Sequence, residues 1–573
     1  MASHLLRYLR CAFFFLLLLQ LSLASPTPNP NEDCYCFPGE SCWPTPAQWA
    51  EFNRTVDGRL IATTPIGSVC HVDNPWTGYN VTECNALRAN WDFPHTHYES
   101  SSSVMAGLYA NQSCDPFLGP ASRCIVGTYV QYAVRAESAA DIQQTLAFTR
   151  AHHIRIVVRN TGHDYLGKST GAGAVAIWTH HLKTIDFLDE YRSPSYRGPA
   201  VRVGAGVQIF EANAAASRRN LTVVGGNCRS VGLAGGYSQG GGHGQLVSRH
   251  GLAADQVLEW EVVTATGDHL VATPHNRHAD LYWALAGGGG GTYAVVLAMT
   301  SRAHRELPTA AATLAFAAPA AANHSAALAA LAAYNTVVDL FFNSTLGPLL
   351  DARGAAIWEL TAAGFSATPL TLPGGTQPQL QRLLDPMLAA LTRLRVPYTY
   401  SIAAFPTFYT SFETMSPDVN ISAYNLGGRL LPRRLLDSDP AILVDRFRSI
   451  LASGAVLSGV SVNASRELPR NTPPNAVNPA WRDAAIDLVI GTAYSETNTT
   501  LNTLNQQLIT DTLLPPLEEL TPGGGAYLNE ADAHQPDWQH VFYGENYAQL
   551  CSIKRRYDPE GIFYARTAVG SES

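Results

Sequence analysis

The chain has 573 residues, more than one hydrophobic core usually supports, with 46% hydrophobic and 15% charged residues and a formal net charge of −8. Such a composition excludes an intrinsically disordered chain. The charge excludes a general nucleic-acid role, because the basic stretches at 429–434 and 554–556 are too short to form a stripe along phosphates.

In chain order, the basic stretch MASHLLRYLR and the apolar CAFFFLLLLQLSL read as a secretory signal over 1–24, too short to span a bilayer and closed by Ser22–Ala24. No later segment qualifies as transmembrane. The Ala-rich run 309–333, interrupted by Pro319, Asn323, His324 and Ser325, reads as soluble helix. Export fits nine N-x-Ser/Thr acceptors for N-glycans, at Asn53, Asn80, Asn111, Asn220, Asn323, Asn343, Asn420, Asn463 and Asn498. It also fits the cysteines. Nine remain beyond Cys11, and seven of them precede residue 125, the pattern of disulfide stapling. Setting Cys228 aside leaves eight, enough for four bridges. Parity cannot name the odd residue; the glycine setting of Cys228 makes it the best candidate.

Residues 25–120 are rich in Cys, Pro and Asn and read as a stapled, loop-rich portion. Beyond it, DIQQTLAFTRAHH has helical spacing, and IRIVVRN, AVAIWTH and AVRVGAG read as strands. VLEWEVVTATGDHLVAT reads as a hairpin, and DLYWALAGGGGGTYAVVLAMTSRAH as a short helix, five glycines and a strand. From about 307, Ala-rich helices alternate with aromatic strands such as PYTYSIAAFPTFYTSF. The stretch Tyr398–Phe412 reads either as core or as the wall of an apolar or sugar-binding cleft. The tail ends in a helix stopped by Tyr-Asp-Pro. The fold class expected is α+β with two segregated units.

Two loops stand out. VVGGNCRSVGLAGGYSQGGGHG, 223–244, holds nine glycines around Cys228, and RIVVRNTGHDYLGKSTG places His163 after a Thr-Gly turn. Glycine there lets backbone approach a ligand closely, and a run of N–H groups suits phosphate oxygens. No dinucleotide fingerprint of the G-x-G-x-x-G type is present. By themselves these segments are equally tight turns of a β-rich domain, with His163 as a turn hydrogen-bonder and Cys228 as a buried thiol. His95, His97, His152, His153, His180 and His181 lack the partners of a metal site, so none is expected.

Taken in order, VRNTGHDYLGKSTGAG, GGNCRSVGLAGGYSQGGGHG, GLAADQVLEWEVVTATGD, LYWALAGGGGGTYAVV and the tail YGENYAQLCSIKRRYDPEGIF resemble FAD-linked oxidases of the vanillyl-alcohol-oxidase type, in the berberine-bridge-enzyme-like branch. The N-terminal CYCFPGESCWPTPAQWAEFNRTVDGRLIATTPIGSVCH resembles a secreted fungal isoamyl-alcohol-oxidase-like subgroup. The resemblance implies an FAD-binding domain of mixed sheets and helices at 121–306 and a substrate domain with an antiparallel sheet flanked by helices at 307–520. The segment 521–573 would return to the FAD domain, and 25–120 would pack on it. It implies FAD bonded to both His163 and Cys228. Arg159, Asn160, Thr161, Gly162, Asp164 and Ser169 would face the pyrophosphate. Gly226, Val231, Gly232, Gly240, Gly241, Gly242, His243 and Gly244 would line the flavin, with Val231 at the position that gates oxygen. Relatives carry Tyr-x-Asn-Tyr near the C-terminus; here Tyr527 and Asn529 are followed by Glu530, either the catalytic base or a structural hydrogen-bonder, with Asp532 and His534 as weaker candidates. The expected protein is a secreted, monomeric oxidase taking hydride from an alcohol carbon and passing electrons to oxygen. The rivals are an oxidative cyclase or dehydrogenase of a secondary metabolite, and a non-catalytic flavin-binding glycoprotein.

Overall fold

A computed structural model describes residues 34–416, 420–465 and 472–572; the signal expected at 1–24 lies outside these residues. The helix Ala139–Ala151 starts where sequence chemistry dictates. The Ser138 hydroxyl accepts from the Asp141 N–H and the Asp141 carboxylate accepts from the Ser138 N–H, closing a capping box. It leads into a four-stranded sheet of Leu60–Ala62, Tyr132–Arg135, Val175–Trp178 and Ile156–Arg159, in that spatial order. Its last three strands are parallel, and Val175–Trp178 is buried throughout, as the unbroken apolar run of a parallel strand requires. The strand Ile156–Arg159 ends by delivering Asn160–Asp164 to the site.

A five-stranded antiparallel sheet follows, ordered Ile185–Ser193, Tyr196–Gly204, Ala294–Arg302, Val257–Thr264 and His269–Ala272. Its last two strands form the expected hairpin. The largest sheet has seven antiparallel strands in the order Tyr398–Phe405, Thr309–Ala317, Gly364–Pro373, Ala355–Leu360, Val456–Ser461, Ala484–Ala493 and Tyr424–Pro432. Side chains alternate across it. Leu457, Ile486, Leu488 and Ile490 face helices such as Gln377–Leu394 and Pro440–Leu451 in one core. Val456, Ser458, Val489 and Gly491 face the other way, into the site.

Four expectations change. The Ala-rich run is half strand: Thr309–Ala317 pairs on both edges, and helix begins only at His324. The helical stretch His324–Asp351 is long and apolar enough to cross a bilayer, contrary to the sequence reading, while Tyr334, Val337, Val338 and Phe341 bury one side of it in the core against the seven-stranded sheet. Tyr398–Phe412 divides into the strand Tyr398–Phe405 and the helix Phe408–Met415, whose Thr407 cap closes on the Thr410 N–H; it does not line the cavity. Finally, the described residues hold three disulfides, Cys36–Cys42, Cys70–Cys84 and Cys114–Cys124, not four. Cys34 is an exposed thiol and Cys551 a buried one, so parity does not single out Cys228.

Candidate active site

The glycine loops and the inner face of the seven-stranded sheet enclose a cavity of about 600 Å³, inside the range of roughly 300–1,000 Å³ usual for ligand sites. His163 and Cys228 both line it. Gly162 takes φ 83°, a conformation that turns the chain so that His163 faces inward, and a Cβ there would stand 2.6 Å from the Arg159 guanidinium. His163 Nε2 is 2.8 Å from the Ser230 hydroxyl, which ties the histidine loop to the cysteine loop. Burial, with His97 and Arg159 adding repulsion, pushes the His163 pKa down to about 3, so the imidazole is neutral and its lone pair is available for bond formation.

The loop residues divide. Asn160, Thr161, Gly162, Asp164, Ser169, Gly226, Val231 and Gly232 line the cavity. Arg159 does not. Its buried guanidinium donates to the carbonyls of His97, Ser100 and Ser103, so it ties down the N-terminal portion and presents nothing to a pyrophosphate. Asp164 and Ser169 satisfy each other, the Ser169 hydroxyl donating to the carboxylate at 2.9 Å. In the run Gly240–Gly244, His243 alone reaches the cavity. Gly240, Gly241, Gly242 and Gly244 act behind it: Gly242 takes φ 73° to turn the chain, and a Cβ on Gly244 would stand 2.1 Å from the Gly225 carbonyl oxygen.

The walls fit FAD. The side-chain oxygens of Asn160, Asn227 and Gln239 are buried and lack hydrogen-bond donors among the described residues, and all three residues line the cavity. Ribityl hydroxyls and a flavin ring N–H are donors of the kind they lack. Gly232 keeps the space open, since a Cβ there would meet Asn160 Oδ1 at 2.4 Å. Lys168, which the sequence reading passed over, also lines the cavity; burial lowers its pKa to about 8.

Across the cavity, Tyr527, Asn529 and Glu530 meet His243. Asn529 Nδ2 donates to the Tyr527 hydroxyl at 2.8 Å and to the Gly236 carbonyl at 2.9 Å. His243 Nε2 hydrogen-bonds Glu530 Oε1 at 3.3 Å and lies at the same distance from Asp487 Oδ2. The imidazole is enclosed by Trp481, at 5.7 Å between ring centroids, and Tyr527, at 5.0 Å. Burial alone would lower its pKa; the two carboxylates overcome this and raise it to about 9. The donor atoms of His243, Asp487 and Glu530 fall within 4.8 Å of one another, a spacing that a proton or a cation could bridge. Asp532 instead accepts from Gln506 and Thr510, and His534 stands outside the cavity. Asp487 is missing from the sequence reading. The available signal was a lone carboxylate inside the apolar run AAIDLVIGTA.

Residues 130–273 match the FAD binding domain family and residues 526–570 the family described as berberine and berberine like. The chain is 46% identical over 540 residues to the FAD-linked oxidoreductase sor8 of Hypocrea jecorina, covering 94% of this chain and 91% of that protein. This chain belongs to the VAO-type, berberine-bridge-enzyme-like family of FAD-linked oxidoreductases. The crystal structure of the VAO-type flavoprotein MtVAO615 from Myceliophthora thermophila superposes with a TM-score of 0.87 at 39% identity, over 94% of this chain and 97% of that one. The fold is also that of a glucooligosaccharide oxidase from Acremonium strictum, with a TM-score of 0.60 at 17% identity over 77% of this chain and 92% of that one; its FAD is described as 6-S-cysteinyl, 8α-N1-histidyl.

Proposed function

We propose that this protein is a secreted FAD-dependent oxidase of apolar alcohols, its flavin bonded to both His163 and Cys228. One observation carries the reading: a single cavity is bounded by His163 and Cys228 on its loop wall, by Glu530 with His243 at one side, and by an apolar strand face opposite. The doubly bonded flavin of the Acremonium oxidase supports the two tethers. Engagement of Nε2 by the Ser230 hydroxyl leaves His163 Nδ1 as the attacking atom.

Bound along the loop wall, FAD would supply a hydride acceptor for the alcohol carbon and a route for the electrons to oxygen, with a carbonyl product and hydrogen peroxide as the result. The chain supplies the rest. Glu530 takes the hydroxyl proton as general base, and His243 fixes the orientation of its carboxylate. Tyr527 and Asn529 brace the Glu530 loop, and a Cβ on Gly428 would stand 2.0 Å from the Glu530 carbonyl oxygen, so only glycine fits behind it. Ile357, Leu426, Val456 and Val489 present an apolar surface to the substrate body, which favours an apolar alcohol over an oligosaccharide. Three disulfides among the described residues suit an extracellular protein.

The test is anaerobic flavin reduction followed by peroxide release on readmitting oxygen, with a panel of apolar primary and secondary alcohols beside gluco-oligosaccharides. The reading expects reduction and one peroxide per carbonyl with apolar alcohols. Reduction by a substrate that is cyclised, with no carbonyl formed at an alcohol carbon, would replace it with an oxidative cyclase.

A further inference from the structure

The two carboxylates beside His243 are not equivalent. Both stand 3.3 Å from the same ring nitrogen, but Nε2 carries a single hydrogen and its alignment serves Glu530. Asp487 sits outside that alignment, and neither of its oxygens has a donor among the described residues. Its side chain is 1% exposed, against 27% for Glu530, which opens toward the cavity. An ionised carboxylate that is dry and lacks a donor is among the costliest arrangements in a protein interior, and the group relieves that cost by taking up a proton.

We propose that Asp487 holds a proton at neutral pH, and that this neutral acid is the positioning element that leaves the His243 Nε2–H to Glu530. The proposal rests on the assignment of Glu530 as base. In the reaction, the substrate O–H bond breaks and its proton passes to the Glu530 carboxylate, while the C–H electron pair leaves with hydrogen to FAD and the carbon–oxygen double bond forms. Asp487 neither gains nor loses a proton in that step.

The surroundings agree. Asp487 lies on the strand Ala484–Ala493, between Leu430 and Val460 of the neighbouring strands, neither of which offers a donor side chain. The other titratable groups facing the His243 ring are Tyr527, in ring contact, and Tyr237, whose hydroxyl donates to the His243 carbonyl; burial keeps both phenols protonated. Arg429, on the adjacent strand, is engaged by Thr521 and Glu518. Burial, with repulsion from Glu530, lifts Asp487 to about 8 against the pull of His243, so the acid form belongs to neutral pH.

pH-difference infrared spectroscopy on the flavin-loaded enzyme reads this without turnover, because a protonated carboxylic acid has a carbonyl stretch that a carboxylate lacks. Between about pH 6 and about pH 10 the parent should lose one such band. Asp487→Asn should lack that change, and Glu530→Gln should retain it. Near neutral pH, Glu530→Gln should lose about a hundredfold or more in kcat/KM. A band that vanishes in Glu530→Gln and survives in Asp487→Asn would place the proton on Glu530 and overturn the proposal. So would a band that appears only after treatment with a chelator, since that would assign the cluster to a bound cation. If Glu530→Gln retains full activity while the band follows Asp487, the protonation assignment stands and the role of Glu530 as base fails.

Discussion

The loop wall of the cavity offers backbone and amide groups, whereas the sheet wall offers side chains chosen by strand register. On the loop wall, Gly162, Gly226 and Gly232 clear space, and three orphaned amide oxygens await donors. On the sheet wall, one face of the strands carries Val456 and Val489 to the cavity and Asp487 to the buried His243 ring, while the next residue along fills a helix-packed core. The first wall suits a ligand that does not vary. The second can change its substrate through single alternate residues without disturbing the core behind them.

Five substitutions would break or sharpen this contrast. The largest effect is expected at Glu530→Gln, with kcat lowered by roughly 10²–10⁴-fold, the usual worth of a general base, and flavin content unchanged; steady-state kinetics beside the flavin absorbance checks it. Leu488→Ala, on the helix side of the sheet, should cost about 2–5 kcal/mol of stability in denaturant unfolding, while its neighbour Val489→Ala should leave stability nearly intact and change KM. Equal destabilisation by the two would erase the distinction between the faces. On the loop wall, Gly232→Ala forces a Cβ toward Asn160 and should cost about 1–3 kcal/mol of flavin binding, read as flavin retained after gel filtration of a variant that lacks both tethers. The smallest effect belongs to Ser230→Ala. Loss of the hydroxyl that orients His163 should lower the fraction of chains tethered at His163, counted by intact-protein mass, without altering the fold.

The same contrast explains what could be read in the sequence. His163 and Cys228 are legible because each sits in a short glycine-marked loop whose function is local in the chain. Arg159 misled for the opposite reason: its position before the turn suggests an anion ligand, but its fork is spent on carbonyls about sixty residues earlier, contacts that only the tertiary fold creates. Asp487 offers only the signal of a lone carboxylate in an apolar run, and a one-residue shift in register would send it to the opposite face. Glu530 was legible as a residue, through the tail motif, but not as half of a pair spanning 287 positions with His243. The cysteine count failed because Cys34 and Cys551 are both thiols, so an even remainder did not mean four bridges.

The central claim is one flavin held at two points on the loop wall. Acid precipitation of the purified protein, followed by peptide mass mapping of the pellet, tests it most directly. The account predicts a yellow pellet with flavin mass on both the His163 and the Cys228 peptides. A colourless pellet with both peptides unmodified would contradict it.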